Sequence, residues 1–406
     1  MSDLVEIDQI VAARERLGGV VQATPLQASR AVSQAAGVAT YLKCEHLQRT
    51  GSFKLRGAYN RISMLSDAER ERGVVCASAG NHAQGVALSA QLTGTRARVF
   101  MPAAAPLPKV VATRAYGAEI TLVDGGVDRA LDAATAHAER VGATVVHPFE
   151  HLDVIAGQGT LGLDVLDDMP EVGSVVVPIG GGGLISGVAS AVKARSPQTR
   201  VIGVQAERAA GVPASLAAGH PVTVPVGDTI ADGIAVAKPG ELTFAHIAAL
   251  VDEVVTVSDD AMARAVLLLA ERAKQVVEPS GAAGLAALLS GVITAVEPVV
   301  VVLAGGNVDP LLLARIIQSG LVSEGRHLYL RTRLLDRPGA LVALLGQVAD
   351  AGANVVAIEH HRMMRALAVL EVELQLAVET RGAEHSAEVV ERLRRAGYHV
   401  ELLSSP

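Results

Sequence analysis

The chain has 406 residues, of which 50% are apolar, 19% charged and 2% aromatic, with no tryptophan and a net charge of −7. That length predicts two or three folding units, and that composition a globular protein. Few rings to stack on bases, and a field that repels a phosphate backbone, argue against a nucleic-acid partner.

In chain order, residues 7–16 space their apolar positions as an amphipathic helix. Thr24-Pro25-Leu26 starts an extended segment, because Pro25 disfavours helix at the residue before it. Short apolar runs then alternate with alanine-rich helical stretches. The runs at 73–77, 97–101, 119–123, 173–178, 201–205 and 299–303 predict strands. The stretches at 85–92, 107–116, 127–140 and 184–194 predict helices. Short buried strands alternating with helices predict parallel sheets and an α/β fold. The alternation stops near Gly320, and residues 322–326 read as a polar linker. Beyond it come a strand at 328–334, a helix at 337–351, strands at 354–361 and 367–376, a charged helix at 384–396 and a strand at 398–403. That βαββαβ order is ferredoxin-like and predicts a separate small α+β domain.

No run is long enough to span a membrane, and the N-terminal segment lacks the apolar core of a signal peptide. A cytoplasmic location is the expectation. Cys44 and Cys76 form neither a CxxC pair nor a metal-spaced cluster with histidine, so reduced thiols are expected.

Three motifs carry chemistry. The first is Gly51-Ser52-Phe53-Lys54-Leu55-Arg56-Gly57-Ala58. A lysine among apolar neighbours has a lowered pKa and is nucleophilic toward carbonyls. Alone, the same stretch reads as a helix start capped by Ser52, with Lys54 and Arg56 on its outer face. The second is Ser78-Ala79-Gly80-Asn81-His82, between a strand and a helix. Its backbone N–H groups suit a carboxylate, and Asn81 suits an aromatic hydroxylate. It also reads as a plain βα turn. The third is Gly180-Gly181-Gly182-Gly183-Leu184, after a strand and opening a helix. Four glycines leave four N–H groups uncovered, which makes a phosphate cup. The run matches neither the dinucleotide fingerprint nor the Lys-Ser/Thr ending of a nucleotide P-loop.

Together these residues resemble the fold-type II pyridoxal-phosphate (PLP) enzymes, and within them the threonine dehydratases (threonine ammonia-lyases) with a C-terminal ACT domain. The resemblance covers the first four-fifths of the chain in order. It includes Met101-Pro102 with Lys109, His147-Pro148-Phe149, Asp232-Gly233-Ile234-Ala235, Glu278-Pro279-Ser280-Gly281-Ala282 and Gly305-Gly306-Asn307. It implies a tryptophan-synthase-β-like catalytic domain over 1–321, built from two parallel-sheet subdomains, the smaller inserted at about 54–145. An ACT domain over 327–403 follows.

The resemblance implies PLP as cofactor and Lys54 as the Schiff-base lysine that also takes the Cα proton. It implies Phe53 against the cofactor ring, Asn81 on the ring hydroxyl, and Gly180, Gly181, Gly182, Gly183 and Leu184 on the phosphate. Ser78, Ala79, Gly80, Asn81 and His82 are then expected to hold the substrate carboxylate. The implied reaction removes water and ammonia from L-threonine to give 2-oxobutanoate, with L-serine as a second substrate. Where many relatives carry a serine beside the pyridine nitrogen, this chain has Ala304. Where serine racemases carry an acid/base serine, it has Ala79, which favours elimination. Relatives that bind a divalent cation use carboxylates at the positions of Gln205 and Gly211, so no metal is expected.

The ACT resemblance implies an amino-acid effector, isoleucine or valine, at Asp336, Arg337, Pro338, Gly339, Ala340 and Asn354. In that reading Asp336 caps a helix and Pro338 lies in its first turn. A homodimer or homotetramer and a biosynthetic, allosteric enzyme are expected. The alternatives are a serine dehydratase or racemase-type PLP enzyme, and a weakly catalytic amino-acid sensor.

Overall fold

A computed structural model describes residues 4–362 and 369–403. The chain divides into two compact units, Met1–Leu312 and Leu313–Pro406.

In the first unit the strands are β1 (Leu26–Ala28), β2 (Thr40–Lys43), β3 (Val74–Ala77), β4 (Ala97–Pro102), β5 (Glu119–Val123), β6 (Thr144–Val145), β7 (Ser174–Pro178), β8 (Arg200–Ala206), β9 (Glu253–Val257) and β10 (Val299–Val302). The larger sheet runs β1-β2-β10-β7-β8-β9 and the smaller β5-β4-β3-β6. Every neighbour pair is parallel except β1 with β2. The central strands β7 (SVVVP) and β10 (VVVV) are buried along their whole length. Such unbroken β-branched runs suit strands covered on both faces, and helices supply the cover. The smaller sheet lies wholly between residues 74 and 145.

Functional loops in open parallel sheets lie beyond the carboxyl ends of the strands. Here β3 leads into Ser78–His82, β7 into the glycine run and β10 into Ala304–Asn307. The helix Lys54–Ser63 is fixed from behind. Arg56, only 1% exposed, pairs with Glu45, which is fully buried, at 2.8 Å, and with Asp164 at 2.8 Å. Its Nη1 also donates to Thr160 Oγ1. Arg56 is therefore not on an outer face. The guanidinium is fully engaged, which is the condition for burying a charge.

The second unit holds β11 (His327–Leu335), β12 (Asn354–His361), β13 (Glu371–Glu379) and β14 (Glu401–Leu403), with helices Ala340–Asp350 and Ala383–Arg395. The antiparallel sheet runs β12-β13-β11-β14, and with the helices the order is βαββαβ. Leu330, Leu344, Val348, Leu374 and Leu393 meet in its core.

Several expected boundaries move. The one at 321 falls inside the helix Pro310–Ser323, so Val322 and Ser323 are helical and not linker; the units part at Leu312. Leu367, expected to open a strand, lies outside the described residues, and that strand runs instead over Glu371–Glu379. The helix of the β11–β12 connection starts at Ala340, not at 337, because Gly339 is its N-cap in the left-handed conformation (φ 87°).

Candidate active site

A cavity of about 770 Å³ opens in the first unit where these strand ends converge. Its wall carries Phe53, Lys54, Ser78, Ala79, Gly80, Asn81, His82, Gly180, Gly181, Gly182, Gly183 and Leu184. The fold therefore brings together every catalytic, cofactor and substrate residue expected from the sequence.

Lys54 is the first residue of its helix, and Ser52 makes no cap; its buried Oγ finds no partner among the described residues. The segment is held instead by Phe53 N–H, which donates to Ala304 O at 3.1 Å. Lys54 Nζ donates to Pro148 O at 3.0 Å and lies 5.2 Å from the centre of the Phe53 ring. Burial lowers its pKa to about 8, opposed by the charge of Glu278. A substantial share of the amine is then neutral near physiological pH, as a nucleophile or base requires.

The glycine run turns its oxygens away from the cavity. Gly180 O accepts from Gln205 Nε2 at 3.3 Å, and Gly181 O from Thr243 Oγ1 at 2.7 Å. Among the described residues nothing accepts from the N–H groups of Gly180, Gly181 or Gly182. Gly182 sits at φ 98°, a left-handed position that favours glycine. A Cβ on Gly181 would run into the Phe149 ring. That ring stands edge-on to His147, with centroids 4.6 Å apart and planes at 89°.

Two histidines at the site are neutral. His82 is pushed down to about 3 and His147 to about 4, by burial first and the Lys54 charge second. His82 Nε2 lies 2.8 Å from Val146 O, and His147 Nδ1 accepts from the N–H groups of Phe149 and Glu150.

Sequence reasoning assigned no role to several residues that the fold places here. Glu278 lies on the cavity wall, with its Oε1 accepting from Asn81 Nδ2 at 2.7 Å. Burial, reinforced by Asp232, raises its pKa to about 7. Asn307 Nδ2 donates to Asn81 Oδ1 at 2.7 Å. At the cavity rim Lys109 Nζ meets Asp232 Oδ2 at 2.5 Å. All four residues lie inside stretches that carried the family resemblance, which was the available signal. Ala304 is on the wall and offers no side-chain hydrogen bond.

In the second unit the expected effector residues separate. Asp336, Arg337, Pro338 and Gly339 form the turn after β11, and Ala340 opens the helix. Asp336 does not cap that helix; it pairs with Arg362 at 3.0 Å. Pro338 precedes the helix. Asn354 stands beside Glu379 and, across it, His327, at the opposite end of the sheet. His361 approaches Glu359 at 3.2 Å, and no metal-binding cluster occurs among the described residues.

The description "pyridoxal-phosphate dependent enzyme" fits residues 18–305 as a family. The chain is 46% identical over 400 residues to L-threonine ammonia-lyase of Thermotoga maritima, covering 98% of this chain and all of that one. Among solved structures, the processed form of threonine deaminase isoform 2 from Solanum lycopersicum is 36% identical with a TM-score of 0.72, covering 78% of this chain and 95% of that one. Maize serine racemase is 37% identical with a TM-score of 0.74, covering 80% and 100% respectively. Among the described residues no helix is long and apolar enough to cross a membrane. With a lysine, an asparagine and a glycine cup on one cavity wall, and relatives of this closeness along nearly its whole length, the chain belongs to the pyridoxal-phosphate-dependent enzymes, among the threonine ammonia-lyases.

Proposed function

We propose that this protein removes water and ammonia from L-threonine to give 2-oxobutanoate, and acts on L-serine in the same way. The observation that carries the reading is Lys54: a cavity lysine with a pKa of about 8, on one wall with a cup of glycine N–H groups that meet no acceptor among the described residues. Agreement over 98% of the chain with an L-threonine ammonia-lyase supports the substrate.

The residues present fit PLP. The N–H groups of Gly180 to Gly183 and the start of the helix Gly183–Arg195 suit the phosphate. Lys54 suits the aldehyde carbon, Phe53 the ring, and Asn81 the ring hydroxyl. Bound PLP supplies the electron sink that makes the substrate Cα proton acidic. The chain does the rest. The loop Ser78–His82 presents the start of the helix Asn81–Thr93 to the substrate carboxylate. Lys54, released as a free amine with a lowered pKa, takes the Cα proton. The neutral His82 and His147 add no positive charge to the site that would compete for the carboxylate. Ala79 supplies no acid/base on the face opposite Lys54, so elimination is favoured over racemisation.

The second unit has the ferredoxin-like order of an ACT domain. We read it as an effector module for isoleucine or valine. Asp336 and Asn354 lie at opposite ends of its sheet, so a ligand touching both would need two copies, which fits a homodimer or homotetramer. The assay is the PLP-loaded enzyme with L-threonine, L-serine and D-serine, read by 2-oxo acid release and by chirality, with and without isoleucine or valine. Absence of 2-oxo acid from both L-substrates would overturn the proposed activity. Kinetics unchanged by either amino acid would overturn the effector role.

A further inference from the structure

Asn81 presents an ambiguity common to every side-chain amide: its oxygen and nitrogen ends are alike in shape and opposite in polarity. The surrounding structure removes it. Thr50 O, a backbone carbonyl, can only accept. Asn307 Nδ2 donates to it at 2.8 Å and spends its other hydrogen on Asn81 Oδ1 at 2.7 Å. That fixes the oxygen end of Asn81 toward Asn307. The nitrogen end then faces Glu278 Oε1 at 2.7 Å, which takes one of its two hydrogens. The other remains for the cavity that Asn81 lines. Turning the amide over would set two NH₂ groups against each other and an oxygen against a carboxylate.

The backbone is shaped around this chain of bonds. Glu278 is the N-cap residue of the helix Pro279–Leu289, yet its side chain makes no cap bond and reaches Asn81 instead. Its own N–H donates to Gly305 O at 3.0 Å. A Cβ on Gly305 would collide with Glu278 Oε1 and come within 2.9 Å of Asn81 Nδ2. A Cβ on Gly51, which sits at φ 71°, would lie 2.5 Å from Asn307 Oδ1. Bare glycines on two separate loops thus admit the Asn307–Asn81–Glu278 series.

We propose that Glu278 and Asn307 are positioning residues that lock the Asn81 amide so that its free N–H is presented to the ring hydroxyl of PLP. This rests on Asn81 being the partner of that hydroxyl. The lock keeps a donor where the hydroxyl oxygen would carry negative charge, which favours the form of the bound chromophore that absorbs visible light over the form that absorbs in the near ultraviolet. It acts without either residue touching the reacting atoms.

The test uses the PLP-loaded full chain and the variants N81A, N307A, E278A and E278Q. It reads the ratio of visible to near-ultraviolet absorbance of bound PLP and the PLP dissociation constant, with circular dichroism to certify folding. N307A and E278A should each lower the ratio toward that of N81A and weaken PLP binding about tenfold, the scale of one lost buried hydrogen-bond partner. E278Q keeps an acceptor oxygen and should restore the ratio. Should E278A not fold, N307A and E278Q decide. N307A or E278A with the native ratio and affinity, beside an N81A that has lost both, overturns the lock. N81A with a native spectrum instead overturns the assignment of Asn81 to the hydroxyl.

Discussion

Adding one methyl group to the glycine run should separate cofactor affinity from folding. In Gly181→Ala the new Cβ enters the space of the Phe149 ring. The ring has little room to retreat, because its edge-on partner His147 is tied by its Nδ1 to the N–H groups of Phe149 and Glu150. The loop cannot easily move the other way, because Gly181 O is held by Thr243 Oγ1. Overpacking of this kind costs about 1–3 kcal/mol. If the loop yields, that cost is drawn from the cup, and PLP binds about 5- to 150-fold more weakly at 1.4 kcal/mol per factor of ten. The assay is fluorescence titration of the apoenzyme with PLP. Gly126→Ala is the control, since its Cβ meets open space; its affinity should match the native chain. An unchanged PLP affinity in Gly181→Ala would refute the placement of the phosphate against this loop.

Three further predictions concern charge. The rate at which PLP attaches to the apoenzyme should rise with pH and level off above about 8, where Lys54 becomes neutral; a rate flat from pH 6 to 9, followed by stopped-flow absorbance, would contradict the lowered lysine pKa. Glu45→Gln should destabilise the first unit by about 3–5 kcal/mol in denaturant titrations, because it strips the buried Arg56 of a charge partner. The pKa of Glu45 is lowered in the fold, so its contribution is present above the unfolded carboxylate pKa and is lost as pH falls through the folded value; the variant should lose less stability than the native chain on acidification. Asp232→Asn breaks the ion pair with Lys109 at the cavity rim and removes a charge that helps raise the Glu278 pKa; KM for L-threonine should change more than Tm, and equal effects on both would assign the pair to stability alone.

The centre of the larger sheet was legible because β7 and β10 are valine runs, and 354–361 matched β12 residue for residue. β2 and β6 were not: β2 reads Thr-Tyr-Leu-Lys, with a polar residue at each end in place of an apolar run, and β6 has only two residues. The helix after β3 begins at Asn81, four residues before its apolar pattern does, because its start serves the cavity and not the core. Lys54, the glycine run and Asn81 were legible as motifs. The roles of Glu278 and Asn307 were not, since they pair with Asn81 across 197 and 226 positions of the chain and only the assembled sheets bring them together. The reading of Asp336 as a helix cap failed because Gly339 could itself turn the chain into the helix, leaving the carboxylate to Arg362.

The wide separation of Asp336 and Asn354 bears on how the enzyme would respond to dilution. An amino acid that bridged those two positions across a pair of chains would bind only to the pair. Ligand binding and pairing would then be linked equilibria, each strengthening the other by the same factor. Half-saturation by such a ligand would move to higher concentration as the enzyme was diluted, and the abundance of the protein would set the sensitivity of its own control.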